Sequence, residues 1–149
     1  MKFEISNLND YQEIIKIIKD RLIKTNILVL YLIGDLGAGK TTFTQILSKE
    51  IGLKNQITSP TFTIINEYKN ENLNLYHLDL YRLNNKIELD ELNLSQYKYP
   101  RTGYNLIIIE WPDLFATELD ELFYDIPKIT IRFSDNLNNR SSRLIEVLV

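Results

Sequence analysis

Residues Ile27 to Thr41 constrain this chain more than any other stretch. Seven apolar residues, Ile27 to Ile33, run directly into Gly34-Asp35-Leu36-Gly37-Ala38-Gly39-Lys40-Thr41. The octapeptide fits G-x-x-x-x-G-K-[ST], the spacing of a phosphate-binding loop. That spacing has meaning only between a strand and a helix, and the flanks predict both. Val29 to Ile33 read as a buried strand. Beyond the loop, Phe43, Ile46, Leu47 and Ile51 recur at helical spacing.

The chemistry of a polyphosphate explains the residue types. Its crowded anionic oxygens are best wrapped by backbone N–H groups, which approach closely only where side chains are absent. The helix that follows aims unpaired N–H groups and its positive end at the same oxygens. Asp35, Leu36, Gly37, Ala38, Gly39, Lys40, Thr41 and Thr42 are therefore the expected nucleotide-binding residues. Lys40 would reach the β- and γ-phosphates, and the Thr41 hydroxyl would ligate Mg²⁺.

A length of 149 residues suits one domain, spanning 1–149. The formal net charge of −3 argues against autonomous nucleic-acid binding, which shows as a basic patch or stripe. The N-terminus lacks the basic and apolar regions of a secretory signal, and no apolar run is long enough for a membrane span. With no cysteine to form a disulfide, the chain reads as soluble and cytoplasmic.

Lys2 to Ile5 can form a strand, and Asn9 or Asp10 can cap a helix whose stripe is Ile14, Ile15, Ile17, Ile18 and Leu22. Gly52 is a natural stop for the second helix. Phe62 to Tyr68 and Leu73 to Tyr81 predict a hairpin, with Leu75, His77, Asp79 and Tyr81 on one face. Lys86 to Leu92 reads as a short helix, Lys98 to Gly103 as a loop, and Tyr104 to Glu110 as an apolar strand. A helical segment around Leu114 to Leu122 precedes two late strands, Ile126 to Phe133 and Leu144 to Val149. The expected architecture is α/β: a three-layer fold of the phosphate-loop NTPase type. Its mostly parallel core sheet would gain antiparallel additions from the hairpin and the last two strands.

A phosphate loop needs a second anchor for Mg²⁺ and a group that positions the nucleophile. Glu110 ends the run Leu106-Ile107-Ile108-Ile109, where a central parallel strand would deliver a carboxylate beside the loop. Asp79 also ends an apolar strand and competes for the metal role; one acid could hold metal while the other orients water. Thr61, after Pro60, is the residue type that a γ-phosphate-sensing loop uses. His77, the lone histidine, reads equally as a hydrogen-bonded strand residue or a site residue. Guanine-specific patterns fail: Asn85-Lys86-Ile87-Glu88 ends in Glu where Asp is required, and Ala38 fills the glycine position of the only D-x-x-G frame. ATP is the better fit.

Taken together, the segments Gly34 to Phe43, Ser59-Pro60-Thr61-Phe62-Thr63 with Asn66-Glu67-Tyr68, His77 to Leu83, and Glu110-Trp111-Pro112 resemble the TsaE (formerly YjeE) family. The resemblance covers nearly the whole chain. It implies a small bacterial ATPase that works with the TsaB–TsaD complex in threonylcarbamoyladenosine modification of tRNA. It also implies that Thr61 acts as a switch-like contact and Asp79 as a catalytic or water-orienting acid. Glu110 would be the metal-side carboxylate, and Trp111 would lie at the mouth of the site.

Two rivals use the same loop. A small-molecule kinase would bring several arginines onto the phosphates, yet only Arg82 and Arg101 lie between the second helix and Glu110. A nucleotide-gated binding protein would bind ATP without turning it over, and sequence does not separate it from a slow ATPase.

Overall fold

The computed structural model describes residues 1–100 and 102–149, so Arg101, in the predicted loop before the fifth strand, lies outside the described residues. The strands are β1 (Lys2–Ile5), β2 (Ile27–Ile33), β3 (Ile65–Lys69), β4 (Leu73–Asp79), β5 (Tyr104–Glu110), β6 (Lys128–Asp135) and β7 (Arg143–Leu148). The α-helices are α1 (Gln12–Thr25), α2 (Lys40–Glu50), α3 (Lys86–Glu91) and α4 (Ala116–Leu122). The strands form one sheet in the order β1-β7-β6-β2-β5-β4-β3. β6, β2, β5 and β4 are parallel, while β3 and the pair β7 and β1 add antiparallel edges.

The apolar run of β2 is buried because both faces of the sheet are covered. On one face Leu28, Leu30, Leu32, Leu106 and Ile108 pack with Ile14, Ile15, Ile18 and Leu22 of α1 and Phe43 and Leu47 of α2. On the other, Val29, Tyr31, Ile107 and Ile109 pack with Leu89 of α3, Leu119 of α4, Phe115 and Phe123. Alternate residues of one strand thus feed two cores, which gives the three layers.

Three expectations are corrected. The helix entry is capped by Asn7: its side chain accepts from the Asn9 N–H at 3.0 Å. Asp10 reaches back to the N–H groups of Ser6 and Asn7. A 3-10 turn, Leu8–Tyr11, therefore precedes α1. Next, Phe62 to Ile64 is not extended. The Ile64 N–H donates to Pro60 O at 2.7 Å and closes a turn, so β3 begins only at Ile65. Tyr81 likewise falls beyond the end of β4 and is exposed. Finally, the return strand of the hairpin and the first late strand are not antiparallel additions. β4 pairs parallel with β5, and β6 pairs parallel with β2, so both belong to the parallel core.

Candidate functional site

The loop leaves β2 at the end of the parallel strands where open α/β sheets bind ligands. Gly34 begins it under close constraint. A Cβ there would lie 3.0 Å from both Cβ and the carbonyl oxygen of Phe133 on β6. Gly39, at the start of α2, has φ +103°, a conformation strained for any residue with a side chain. Between them Leu36 stands out into solvent, and Ala38 donates its N–H to Asp35 O at 3.1 Å.

Lys40 opens α2, and its side chain folds back over the loop. Nζ donates to Gly34 O at 2.5 Å and to Asp35 O at 2.9 Å, and sits 4.9 Å from the centre of the Trp111 ring. The residue is only 5% exposed. Burial pushes its ammonium below the usual lysine range, and the carboxylates of Glu110, Asp79 and Asp35 work against that shift. A cation held out of water, with its hydrogen bonds to loop carbonyls, suits an anion-binding role better than a surface lysine would.

Asp79 and Glu110 are both buried, at 5% and 3% exposure. They are register partners across β4 and β5, so their side chains leave the sheet on the same face. Their surroundings differ. Asp79 Oδ1 accepts from the Tyr81 N–H at 3.0 Å, and the Thr61 hydroxyl lies 3.4 Å from Oδ2. Glu110 Oε1 meets Nε2 of His77 at 2.9 Å. His77 is completely buried, two residues before Asp79 on the same face of β4.

Two strained backbones border the site. Trp111 has φ +59° immediately after Glu110, and Ile64 has φ +65°. A β-branched residue rarely occupies that region. Ile64 is held there because its N–H bonds Pro60 O and its carbonyl accepts from the Asp79 N–H at 2.9 Å. The turn carrying Thr61 is thereby tied to the end of β4. Trp111 packs against Tyr81, ring centres 4.9 Å apart.

One cavity of about 200 Å³ is lined by Leu36, Gly37, Ala38, Gly39, Lys40, Thr41, Thr42, Ser59, Thr61, Asp79, Glu110 and Trp111. Every residue singled out from the sequence as nucleotide-binding, catalytic or metal-ligating lines it except Asp35, which is exposed beside it and contributes its carbonyl to Lys40. Ser59, within 2.7 Å of the Thr61 hydroxyl, was not singled out; the Ser-Pro-Thr tripeptide was its only signal. Arg143 was missed as well. Its side chain lies 3.9 Å from where a Gly39 Cβ would sit, against the loop but outside the cavity lining. It lies more than a hundred residues along the chain from Gly39, so no local motif links the two. Arg82 instead lies over the Phe62 ring, 4.9 Å away.

The donors suit a polyphosphate with a hard cation: backbone amides, an ammonium, four hydroxyls and two carboxylates, all oxygen on the metal side. Among the described residues no group of three or more His, Asp or Glu could hold a metal by itself. A cation bridged to substrate phosphates needs only one or two protein oxygens. No helix among the described residues is long and apolar enough to cross a membrane.

The family model described as "Threonylcarbamoyl adenosine biosynthesis protein TsaE" matches residues 5–143. The tRNA threonylcarbamoyladenosine biosynthesis protein TsaE of Rickettsia conorii is 36% identical over 153 residues, covering 95% of this chain and 85% of the relative. Its counterpart from Nostoc is 55% identical over 119 residues, 80% of this chain and 68% of the relative. The match to the Bacillus subtilis TsaE is 43% identical over 93 residues, 62% of this chain, and spans only 56% of that relative's length. The crystal structure of Bacillus subtilis YdiB superposes with a TM-score of 0.64 at 31% identity, over 97% of this chain and 82% of that one. With the family model matched over residues 5–143, the chain belongs to the TsaE family.

Proposed function

We propose that this chain is a Mg²⁺-dependent ATPase that supports the TsaB–TsaD complex in N6-threonylcarbamoyladenosine modification of tRNA, in the cytoplasm. The observation that carries this reading is the convergence of Lys40, Thr41, Thr61, Asp79 and Glu110 on one cavity with the glycine loop. The pathway comes from the family, whose curated members bear its name.

The loop amides and the N-terminus of α2 bind the phosphates, and Lys40 exchanges its bonds to the loop carbonyls for bonds to phosphate oxygens. Thr41 and Glu110 would hold Mg²⁺, which would supply positive charge to offset that of the phosphates. Asp79 orients a water for attack on the γ-phosphorus and accepts its proton, while the bond to the β–γ bridging oxygen breaks to give ADP and phosphate. Thr61, hydrogen-bonded beside Asp79, couples γ-phosphate occupancy to its turn. Trp111 covers Lys40 and limits water at the mouth. The net charge of −3 leaves the gripping of RNA to the partner.

Phosphate release by the purified protein, alone and with a TsaB–TsaD complex, tests the reading; slow release that the complex accelerates is expected. Phosphoryl transfer to an added small-molecule acceptor would move the assignment to a kinase. ATP binding without phosphate release in either condition would make the chain a nucleotide-gated binding protein.

A further inference from the structure

His77 is a costly residue at its position. It is fully buried on the face of β4 that packs against α1 and α2, among leucines and isoleucines. Its Nδ1 meets no hydrogen-bond partner among the described residues. A buried polar atom without a partner destabilises the fold, and an apolar side chain there would avoid that cost. What the imidazole does gain is a single bond, Nε2 to Glu110 Oε1 at 2.9 Å. A carboxylate oxygen accepts, so the ring nitrogen that faces it carries the hydrogen.

The bond decides how Glu110 can act. β4 and β5 run in parallel register, His77 opposite Ile108 and Asp79 opposite Glu110. The imidazole therefore rises from two register positions behind the two acids, on the same face, and takes Glu110 from the core side. With Oε1 committed, Oε2 is the oxygen left for the cavity that Glu110 lines. A carboxylate fixed this way presents one oxygen in one orientation. That suits a ligand of a hard cation whose remaining positions go to phosphate and water. Hydrogen-bonded supports of this kind orient metal-ligating carboxylates and influence metal affinity strongly.

We propose that His77 is a positioning residue for the Glu110 carboxylate, and that through it the core of the sheet sets how strongly Mg²⁺ enhances nucleotide binding. The proposal rests on the reading of Glu110 as the metal-side acid. His77 touches neither nucleotide nor ion; it acts through Glu110 alone.

The experiment is calorimetric titration with a non-hydrolysable ATP analogue, in Mg²⁺ and in EDTA, on the parent, His77→Leu and His77→Gln, with a thermal melt of each. His77→Leu should leave affinity in EDTA unchanged and shrink the Mg²⁺-linked gain by about 10–100-fold. His77→Gln, which keeps a donor near the Nε2 position, should retain most of the gain. Because His77 is the only histidine, ¹⁵N ring spectra of the parent need no assignment. They should show hydrogen on Nε2, with a signal that moves on adding the analogue with Mg²⁺ and stays on adding it with EDTA. An undiminished gain in His77→Leu, a loss in His77→Gln as deep as in His77→Leu, or the absence of hydrogen on Nε2 would overturn the proposal. If His77→Leu does not melt cooperatively, His77→Gln and the ring spectra decide. Failure of the parent to bind the analogue in either condition would instead overturn the nucleotide reading, and this proposal with it.

Discussion

Asp79 and Glu110 stand opposite each other at the C-terminal ends of two adjacent parallel strands, in register and on the same face of the sheet. Two carboxylates so close would compete for one role if their surroundings matched. They do not: Asp79 is bonded to a backbone N–H and faces the Thr61 hydroxyl, while Glu110 is bonded to a buried imidazole. Distinct environments are how neighbouring acids acquire distinct roles.

Single substitutions should therefore separate them. Glu110→Ala is expected to remove the Mg²⁺-dependent part of nucleotide affinity. Asp79→Ala should leave affinity near the parent's and lower turnover by about 10²–10⁴-fold, the range for loss of a proton-accepting group. Affinity measured with and without Mg²⁺, alongside phosphate release, distinguishes the two; a loss of Mg²⁺-linked affinity in Asp79→Ala would reverse the assignment.

Gly34→Ala probes the fold beneath the site. The added methyl would meet both Cβ and the carbonyl oxygen of Phe133 at 3.0 Å, and the carbonyl belongs to a strand paired with β2. Overpacking of this kind destabilises by roughly 1–3 kcal/mol. The urea midpoint should fall accordingly, and an unchanged midpoint would show that β6 yields more easily than its pairing implies.

How far the sequence could be read follows from where the determining contacts lie. β5 was legible to the residue, Tyr104 to Glu110, because a strand buried on both faces is a continuous apolar run with a clear end. The place of β6 was not. Its alternation of buried Ile129, Ile131 and Phe133 with more exposed residues resembles an edge addition, yet it pairs with β2 on one side and β7 on the other. The turn at Phe62 to Ile64 was hidden for another reason. β-branched Ile64 gives no local hint of a left-handed conformation, which is imposed by bonds to Pro60 and Asp79. The His77–Glu110 bond joins positions 33 residues apart and leaves no mark in spacing.

Stability should fall with acid in a way that single residues account for. Hydrogen bonds from Ser142, then Asn139, and less strongly Asn136, hold the Glu4 carboxyl below its ordinary range. Backbone N–H groups of Asn7 and then Ser6 do the same for Asp10. Since the folded values lie below the unfolded ones, these contributions are complete above an unfolded carboxylate value of about 4 and disappear as pH falls through the folded values. Urea midpoints from neutral pH down to about pH 3 should decline less steeply in Glu4→Gln than in the parent. Parallel curves would remove Glu4 from the account.

The partner should act on the mouth of the cavity. No arginine lines it among the described residues, and supplying one to such a site typically gains about 10³–10⁵ in rate. The isolated protein is therefore expected to turn over slowly, and a TsaB–TsaD complex to accelerate it. The only tryptophan, Trp111, packs between Lys40 and Tyr81, so its emission should change when ATP and the complex are added together. Fast turnover by the protein alone, with emission and rate indifferent to the complex, would count against partner gating.

The central claim, that this loop binds the phosphates of ATP, is tested most directly by Lys40→Ala. Lys40 bonds only loop carbonyls and stands over Trp111, so its loss should spare the cores on either face of the sheet. Calorimetric titration of the parent with ATP and Mg²⁺ should show saturable binding. The variant should show none at the same concentrations while still melting in one cooperative transition. Equal affinity in parent and variant would contradict the assignment of this cavity as the nucleotide site.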